Sequence, residues 1–105
     1  MRRTWFSVSP DETRIAYVDR QNGQTDIFVS GMNGEDPIRV TDDAHDDSMP
    51  IWHPDGKRII YNSSRNSVTQ IFVVSIDSKR QAQISLSDTD SRVSDISADG
   101  TKILY

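Results

Sequence analysis

The sequence predicts an all-β fold of repeated four-stranded antiparallel units, and three observations predict it. Asp and Ser, which compete for backbone hydrogen bonds and favour turns, far outnumber Ala, Leu and Glu, the best helix formers. The apolar residues are mostly Ile and Val, in runs of three or four separated by Asp, Ser, Asn and Gly, as in short strands joined by turns. The pattern also recurs along the chain at one fixed offset of 44 residues.

The repeat is clearest around Pro50 to Tyr61, PIWHPDGKRIIY, where Ile51-Trp52 and Ile59-Ile60-Tyr61 flank a turn. Asp55-Gly56 accepts positive φ at low cost, and Pro54 fixes φ near the value a turn needs. Shifted by 44 residues the same stretch is Val8-Ser9-Pro10-Asp11-Glu12 through Ile15-Ala16-Tyr17 upstream, and Ile96-Ser97-Ala98-Asp99-Gly100 through Ile103-Leu104-Tyr105 downstream. The offset also pairs Ile27-Phe28-Val29 with Ile71-Phe72-Val73, and Val40-Thr41 with Ile84-Ser85. Four strand-like segments per repeat of this length are the signature of a propeller blade.

Taken in order, unit one has strands at Trp5 to Val8, Arg14 to Asp19, Asp26 to Ser30 and Pro37 to Thr41. The polar loop Arg20 to Gln24 and the Asn33-Gly34 turn separate the later ones, and Pro37 suits the start of an outer strand. Asp42 to Ser48 crosses to unit two, with strands at Met49 to His53, Arg58 to Ser63, Gln70 to Ser75 and Gln81 to Ser85. Leu86 to Arg92 crosses again, to strands at Val93 to Ile96 and Lys102 to Tyr105. The expected division is therefore 5–48 for blade one, 49–92 for blade two and 93–105 for the first two strands of blade three: a propeller fragment, since closure takes about four to eight blades.

Ile15-Ala16-Tyr17-Val18, Ile59-Ile60-Tyr61 and Ile71-Phe72-Val73-Val74 are apolar at consecutive positions, whereas a sheet wet on one face alternates. Both faces of each sheet should be covered, as in blades stacked about an axis, and the recurring Tyr17, Tyr61, Tyr105, Phe28 and Phe72 should lie in the core between blades. The expected partners include the remaining blades of the same propeller.

The 105 residues carry a net charge of -4 and no basic stripe, which excludes a phosphate backbone as the expected partner. Without cysteine there is neither a disulfide nor a thiolate zinc site. No stretch has membrane-spanning length, so no membrane insertion is expected. Met1 to Phe6 is positively charged but lacks the apolar core of a signal peptide.

The matching positions Ser9-Pro10-Asp11, Trp52-His53-Pro54-Asp55-Gly56-Lys57-Arg58-Ile59, Asp99-Gly100, Asp26-Ile27-Phe28-Val29 and Gln70-Ile71-Phe72-Val73 resemble the repeat of the TolB-like, WD-like propeller family. Glu12 in place of Gly, His53 in place of Ser and Ala98 in place of Pro depart from it, and Glu12 weakens the first turn. The resemblance implies a six- or seven-bladed disc serving as a protein-binding platform in the bacterial envelope or periplasm; its best-known member binds an outer-membrane lipoprotein and colicins. Similar repeats form the non-catalytic gating propeller of prolyl-oligopeptidase-like and tricorn-like peptidases, the alternative reading.

Strand order in an up-and-down sheet brings the second loop of each unit and the inter-blade crossings to one end. There lies the densest charge, Asp42, Asp43, His45, Asp46 and Asp47, with Arg20, Arg65 and Arg92 around it. These eight residues are the expected contacts for a protein partner. The acidic run could also hold a hard cation, but a solvated crossing whose Asp residues cap amides is the simpler reading, so no metal and no cofactor are expected. His53 stands where the sister units have Ser9 and Ser97 and reads as a turn residue. No nucleophile elbow, His-Glu-x-x-His or phosphate-binding loop occurs, so no enzymatic activity is expected of the chain.

Overall fold

The computed structural model describes residues 6–21, 23–41, 45–65, 68–84, 95–96 and 103–104. Within them lie ten strands and no helix: β1 (Phe6–Val8), β2 (Arg14–Gln21), β3 (Gln24–Gly31), β4 (Ile38–Arg39), β5 (Asp46–Trp52), β6 (Arg58–Arg65), β7 (Val68–Ser75), β8 (Gln81–Gln83), β9 (Asp95–Ile96) and β10 (Ile103–Leu104). They form two four-stranded antiparallel sheets in sequence order, β1-β2-β3-β4 and β5-β6-β7-β8, and a β9-β10 hairpin. Tyr105 and the other residues of the third unit outside its hairpin strands lie beyond the described residues.

The inner strands run longer than their apolar runs. Arg20 pairs with Thr25 and Gln21 with Gln24, and Ser64 pairs with Thr69 and Arg65 with Val68. The expected loops at Arg20 to Gln24 and Ser64 to Thr69 therefore give up most of their residues to the strands, which reach Gln21 and Arg65 and resume at Gln24 and Val68. Hydrophobicity marks only the part of a strand that is buried, whereas the backbone ladder continues through polar residues wherever a partner strand is present. The same holds for β5, which starts at Asp46 instead of Met49 because Asp46, Asp47 and Ser48 pair with Ser64, Ser63 and Asn62. A register shift between Ser48 and Ile51 follows, with Met49 at φ 57, a β-bulge that re-phases the strand before Trp52.

Alternation along the strands gives each sheet two apolar faces. On the first sheet Ala16, Val18, Ile27 and Val29 share a face, since Ala16 pairs with Val29 and Val18 with Ile27. On the second, Ile59, Tyr61, Phe72 and Val74 share a face by the same logic. These two faces meet in one core, with Val40, Trp52 and Ile76. The ring pairs stack within each sheet, Tyr17 on Phe28 at 5.8 Å and Tyr61 on Phe72 at 6.0 Å. The far face of the second sheet carries Ile60 and Ile71, both buried, with Met49, Ile51 and Val73 packed against them.

Trp52 fixes how the two sheets sit on each other. Its indole Nε1 donates to Ser7 O at 2.9 Å, tying β5 to the first strand of the other sheet. The Arg14 guanidinium lies 5.0 Å from the Trp52 ring centroid and donates to Gly56 O at 3.2 Å. One aromatic ring thus receives apolar packing, a hydrogen-bond acceptor and a cation from the neighbouring sheet.

The first turns are held by side chains. Asp11 Oδ1 accepts from Ser9 Oγ at 2.7 Å, Thr13 Oγ1 at 2.7 Å and Thr13 N at 3.1 Å. In the sister turn Asp55 Oδ1 accepts from Lys57 N at 2.8 Å, and Asp55 Oδ2 from Arg58 Nε at 2.9 Å. The ring nitrogens of His53 sit 3.1 Å from the Asp55 amide nitrogen and 3.1 Å from an Arg58 guanidinium nitrogen, so this histidine belongs to the turn.

Replacing Trp52 with Phe keeps most of the packing but removes the indole bond to Ser7 O, and is expected to cost about 1 kcal/mol in urea unfolding; an unchanged midpoint would remove the indole from this role. The bonds to Thr13 and Ser9 lower the Asp11 carboxyl from its ordinary 3.8 to about 2. Because the folded value is the lower one, the contribution of this turn is complete above pH 3.8 and fades as pH falls toward about 2. Carboxyl NMR titration of Asp11 checks this, and a midpoint near 3.8 would contradict it.

Candidate functional site

The end of the sheets that carries the β2–β3 and β6–β7 turns is assembled around Asp46. Asp46 pairs with Ser64 inside the second sheet, and its Oδ1 accepts from Thr25 N at 3.1 Å and Thr25 Oγ1 at 3.2 Å in the first. Thr25 in turn pairs with Arg20, and Arg65 follows Ser64 in β6. The structure therefore brings Arg20, Asp46 and Arg65 to one end, with His45, partly buried, just ahead of β5.

These residues are not equally available. Arg20 is exposed, and its Nη1 donates to Gly23 O at 3.3 Å across its own hairpin. Arg65 is partly buried, lies 4.0 Å from the Phe72 ring centroid and donates through Nε to Ser63 Oγ at 3.0 Å. Asp46 spends one carboxylate oxygen on joining the sheets. Asp47 corrects the expectation: it is fully buried within β5, opposite Ser63, and offers no surface to a partner. Its place follows from the early start of β5, which divides the acidic run between crossing and strand. Asp42, Asp43 and Arg92 lie outside the described residues.

Among the described residues no three His, Asp or Glu side chains gather as a metal site would require. The chemistry on offer at this end is charge and hydrogen bonding from Arg20, His45, Asp46 and Arg65.

Just below the same end is a polar cluster that the pattern of apolar runs does not reveal. Asp26 is buried and paired with Arg39 of β4 through both Nε and Nη2. It also accepts from Gln24 Nε2 at 3.2 Å and Thr41 Oγ1 at 3.3 Å, while Thr41 Oγ1 accepts from Ile27 N at 2.9 Å. One carboxylate thus fastens β4 and the start of the crossing to β3. A signal for it lies in the repeat: 44 residues on, Asp26, Arg39 and Thr41 become Gln70, Gln83 and Ser85. The cation and the anion change together into two amides.

Two four-stranded antiparallel sheets, each in sequence order and packed face to face with apolar residues on both sides, define a segment of a β-propeller. The sequence matches the TolB beta propeller domain family over residues 6–105, and the chain belongs to that family. Among solved structures it is similar to TolB from Acinetobacter baumannii, with 26% identity and a TM-score of 0.81 over 93% of this chain and 25% of that one. It is also similar to a TolB of Agrobacterium tumefaciens, with 26% identity and a TM-score of 0.74 over 82% of this chain and 31% of that one. The tricorn protease shares the fold, at 20% identity and a TM-score of 0.57 over 75% of this chain and 7% of that one. No curated protein matches the sequence. The chain spans less than a third of the length of the TolB structures it matches.

Arg39→Gln alone strands a buried carboxylate and is expected to cost about 3 kcal/mol, somewhat less than a fully buried pair because Arg39 is one-third exposed. Adding Asp26→Gln, which copies the Gln70 and Gln83 arrangement, is expected to recover most of that loss. A double-mutant cycle by chemical unfolding measures it, and strictly additive losses would refute the compensation.

Proposed function

We propose that this chain is part of a non-enzymatic propeller in the bacterial periplasm that acts as a protein-interaction platform, and that the end bearing Asp46 is its recognition face. The observation that carries the reading is the exposed Arg20 beside Asp46, His45 and Arg65, at an end where two neighbouring sheets are locked together. Asp42, Asp43 and Arg92 extend this face in the proposal. Charges on such a rim steer encounter and set specificity more than they set affinity. The likeness to the tricorn protease is one of fold, so nothing in this chain favours the gating reading over the platform.

By family resemblance the partner class is an outer-membrane lipoprotein. The test is kinetic binding of the purified chain to the soluble domain of such a lipoprotein at two salt concentrations. Arg20→Glu is expected to slow association about tenfold at low salt with little change in dissociation, since Arg20 lies outside the core. Association that ignores both this reversal and salt would reject the recognition face, and cleavage of a peptide substrate by the chain would reject the non-enzymatic reading.

A further inference from the structure

The connection between β3 and β4 lies at the end of the strands opposite Asp46. Gly31 N donates to Glu35 O at 2.9 Å and Gly34 N donates to Gly31 O at 3.0 Å, which closes the turn. Glu35 Oε1 accepts from Asn33 N at 2.9 Å, and its carboxyl group occupies the space that a side chain on Gly31 would need. At the centre of the turn stands Asn33-Gly34. Both residues are exposed, Gly34 has φ 83, and no atom beyond its two chain neighbours lies within 4 Å of where its Cβ would be. Among the described residues the Asn33 side-chain amide has no hydrogen-bond partner.

A neutral side-chain amide one residue ahead of an unhindered glycine nitrogen is placed for closure of a five-membered ring, the chemistry that makes asparagine thermolabile. The Asp55-Gly56 turn shows what withholds it. Gly56 also has φ 70 and open space beside it, but the Asp55 carboxylate is held by Lys57 N at 2.8 Å and Arg58 Nε at 2.9 Å. A carboxylate is besides a much poorer electrophile than an amide. Nor does the β3–β4 turn require the pair: 44 residues on, Asn33-Gly34 becomes Asp77-Ser78, in a turn closed by Ser75 N on Arg80 O at 3.0 Å.

We infer that Asn33 is a site of spontaneous covalent modification, in which the Gly34 nitrogen displaces the side-chain amide as ammonia. Hydroxide takes the Gly34 N–H proton, the nitrogen leaves Gly31 O and bonds to Asn33 Cγ, and the Cγ–Nδ2 bond breaks. Ammonia departs with a proton from water, which regenerates the hydroxide. A second water opens the succinimide at one of its two carbonyls and leaves either aspartate or isoaspartate. Both products add a carboxylate beside Glu35 and Asp36 in a chain of net charge -4. Isoaspartate also adds one main-chain carbon between Gly31 and Glu35, and so breaks the bonds that close the turn. β4 keeps Arg39 on Asp26 and Val40 N on Ile27 O, which confines the change to the turn. The inference is independent of what the Asp46 end recognises.

The test ages the purified chain in neutral and in mildly alkaline buffer and follows the amide by ion exchange and by tandem mass spectra of the tryptic fragment 21–39. These spectra separate Asn33 from Asn22, which also precedes a glycine. Expected is conversion of Asn33, mainly to isoaspartate, that quickens in alkali. It should run at least about tenfold faster than at Asn62, which is buried and reacts only from an opened state. Unfolding in urea should speed Asn33 by less than about tenfold, because the fold places one exposed hydrogen bond on the attacking nitrogen. A larger acceleration would mean that the turn protects Asn33 and would overturn the site, as would an Asn33 that converts no faster than Asn62. The isoaspartyl form should melt below Asn33→Asp, which carries the new charge without the extra main-chain carbon. Equal melting temperatures would overturn the effect on the turn.

Discussion

The fold rests on covering a sheet face. A four-stranded sheet with apolar residues at consecutive strand positions has two faces to remove from water and can cover neither by itself. The joint between the sheets meets this demand with small and β-branched residues against a face that carries two rings: Ala16, Ile27 and Val29 lie in one core with Ile59, Tyr61, Phe72 and Val74. Apolar burial is worth about 25 cal/mol per Å² but has no direction. Direction comes from Trp52, whose indole bond to Ser7 and contact with Arg14 are satisfied in one relative position of the sheets. The Asp46 to Thr25 bonds do the same at the opposite end of the strands. Packing supplies the attraction, and a few polar contacts at its margins set the register.

That division of labour explains what the sequence discloses. Strand number, order and the stacking of Tyr61 and Phe72 in the core follow from the period and from unbroken runs such as Ile71-Phe72-Val73-Val74, because burial is written in hydrophobicity. The ends of strands are not, since Arg20, Gln24, Asp46 and Arg65 belong to the ladder through backbone bonds that any residue except proline can make. The candidate site lies in those ends. A run of acids therefore read as one surface feature, although β5 begins inside it and buries Asp47 while leaving Asp46 exposed.

An internal repeat adds information that composition and periodicity lack, because each unit serves as a control for the others. Where units agree, as at Ile15, Ile59 and Ile103, the position belongs to the shared core pattern. Where two contacting positions change together, the change reports a contact. Asp26 with Arg39 against Gln70 with Gln83 is such a case, and the structure shows the charged pair closed on itself with Thr41 and Gln24. The charged solution satisfies the donors and acceptors of the third and outer strands in the first unit. A mixture of the two would not, because a lone buried carboxylate lacks its counterion.

The same comparison separates structure from recognition. Departures that change together inside the chain, such as Asp26 and Arg39 against Gln70 and Gln83, fall on positions that belong to the chain's own strands. Arg20 is different: its counterpart is Ser64, it is exposed, and its guanidinium folds back only as far as Gly23 O. Nothing in the sheet needs a cation at that position, and an unneeded exposed charge costs little where water solvates it. The exposed strand ends are therefore where the repeats can differ without any matching change in the core between the sheets, because water there does the work that a partner side chain does inside.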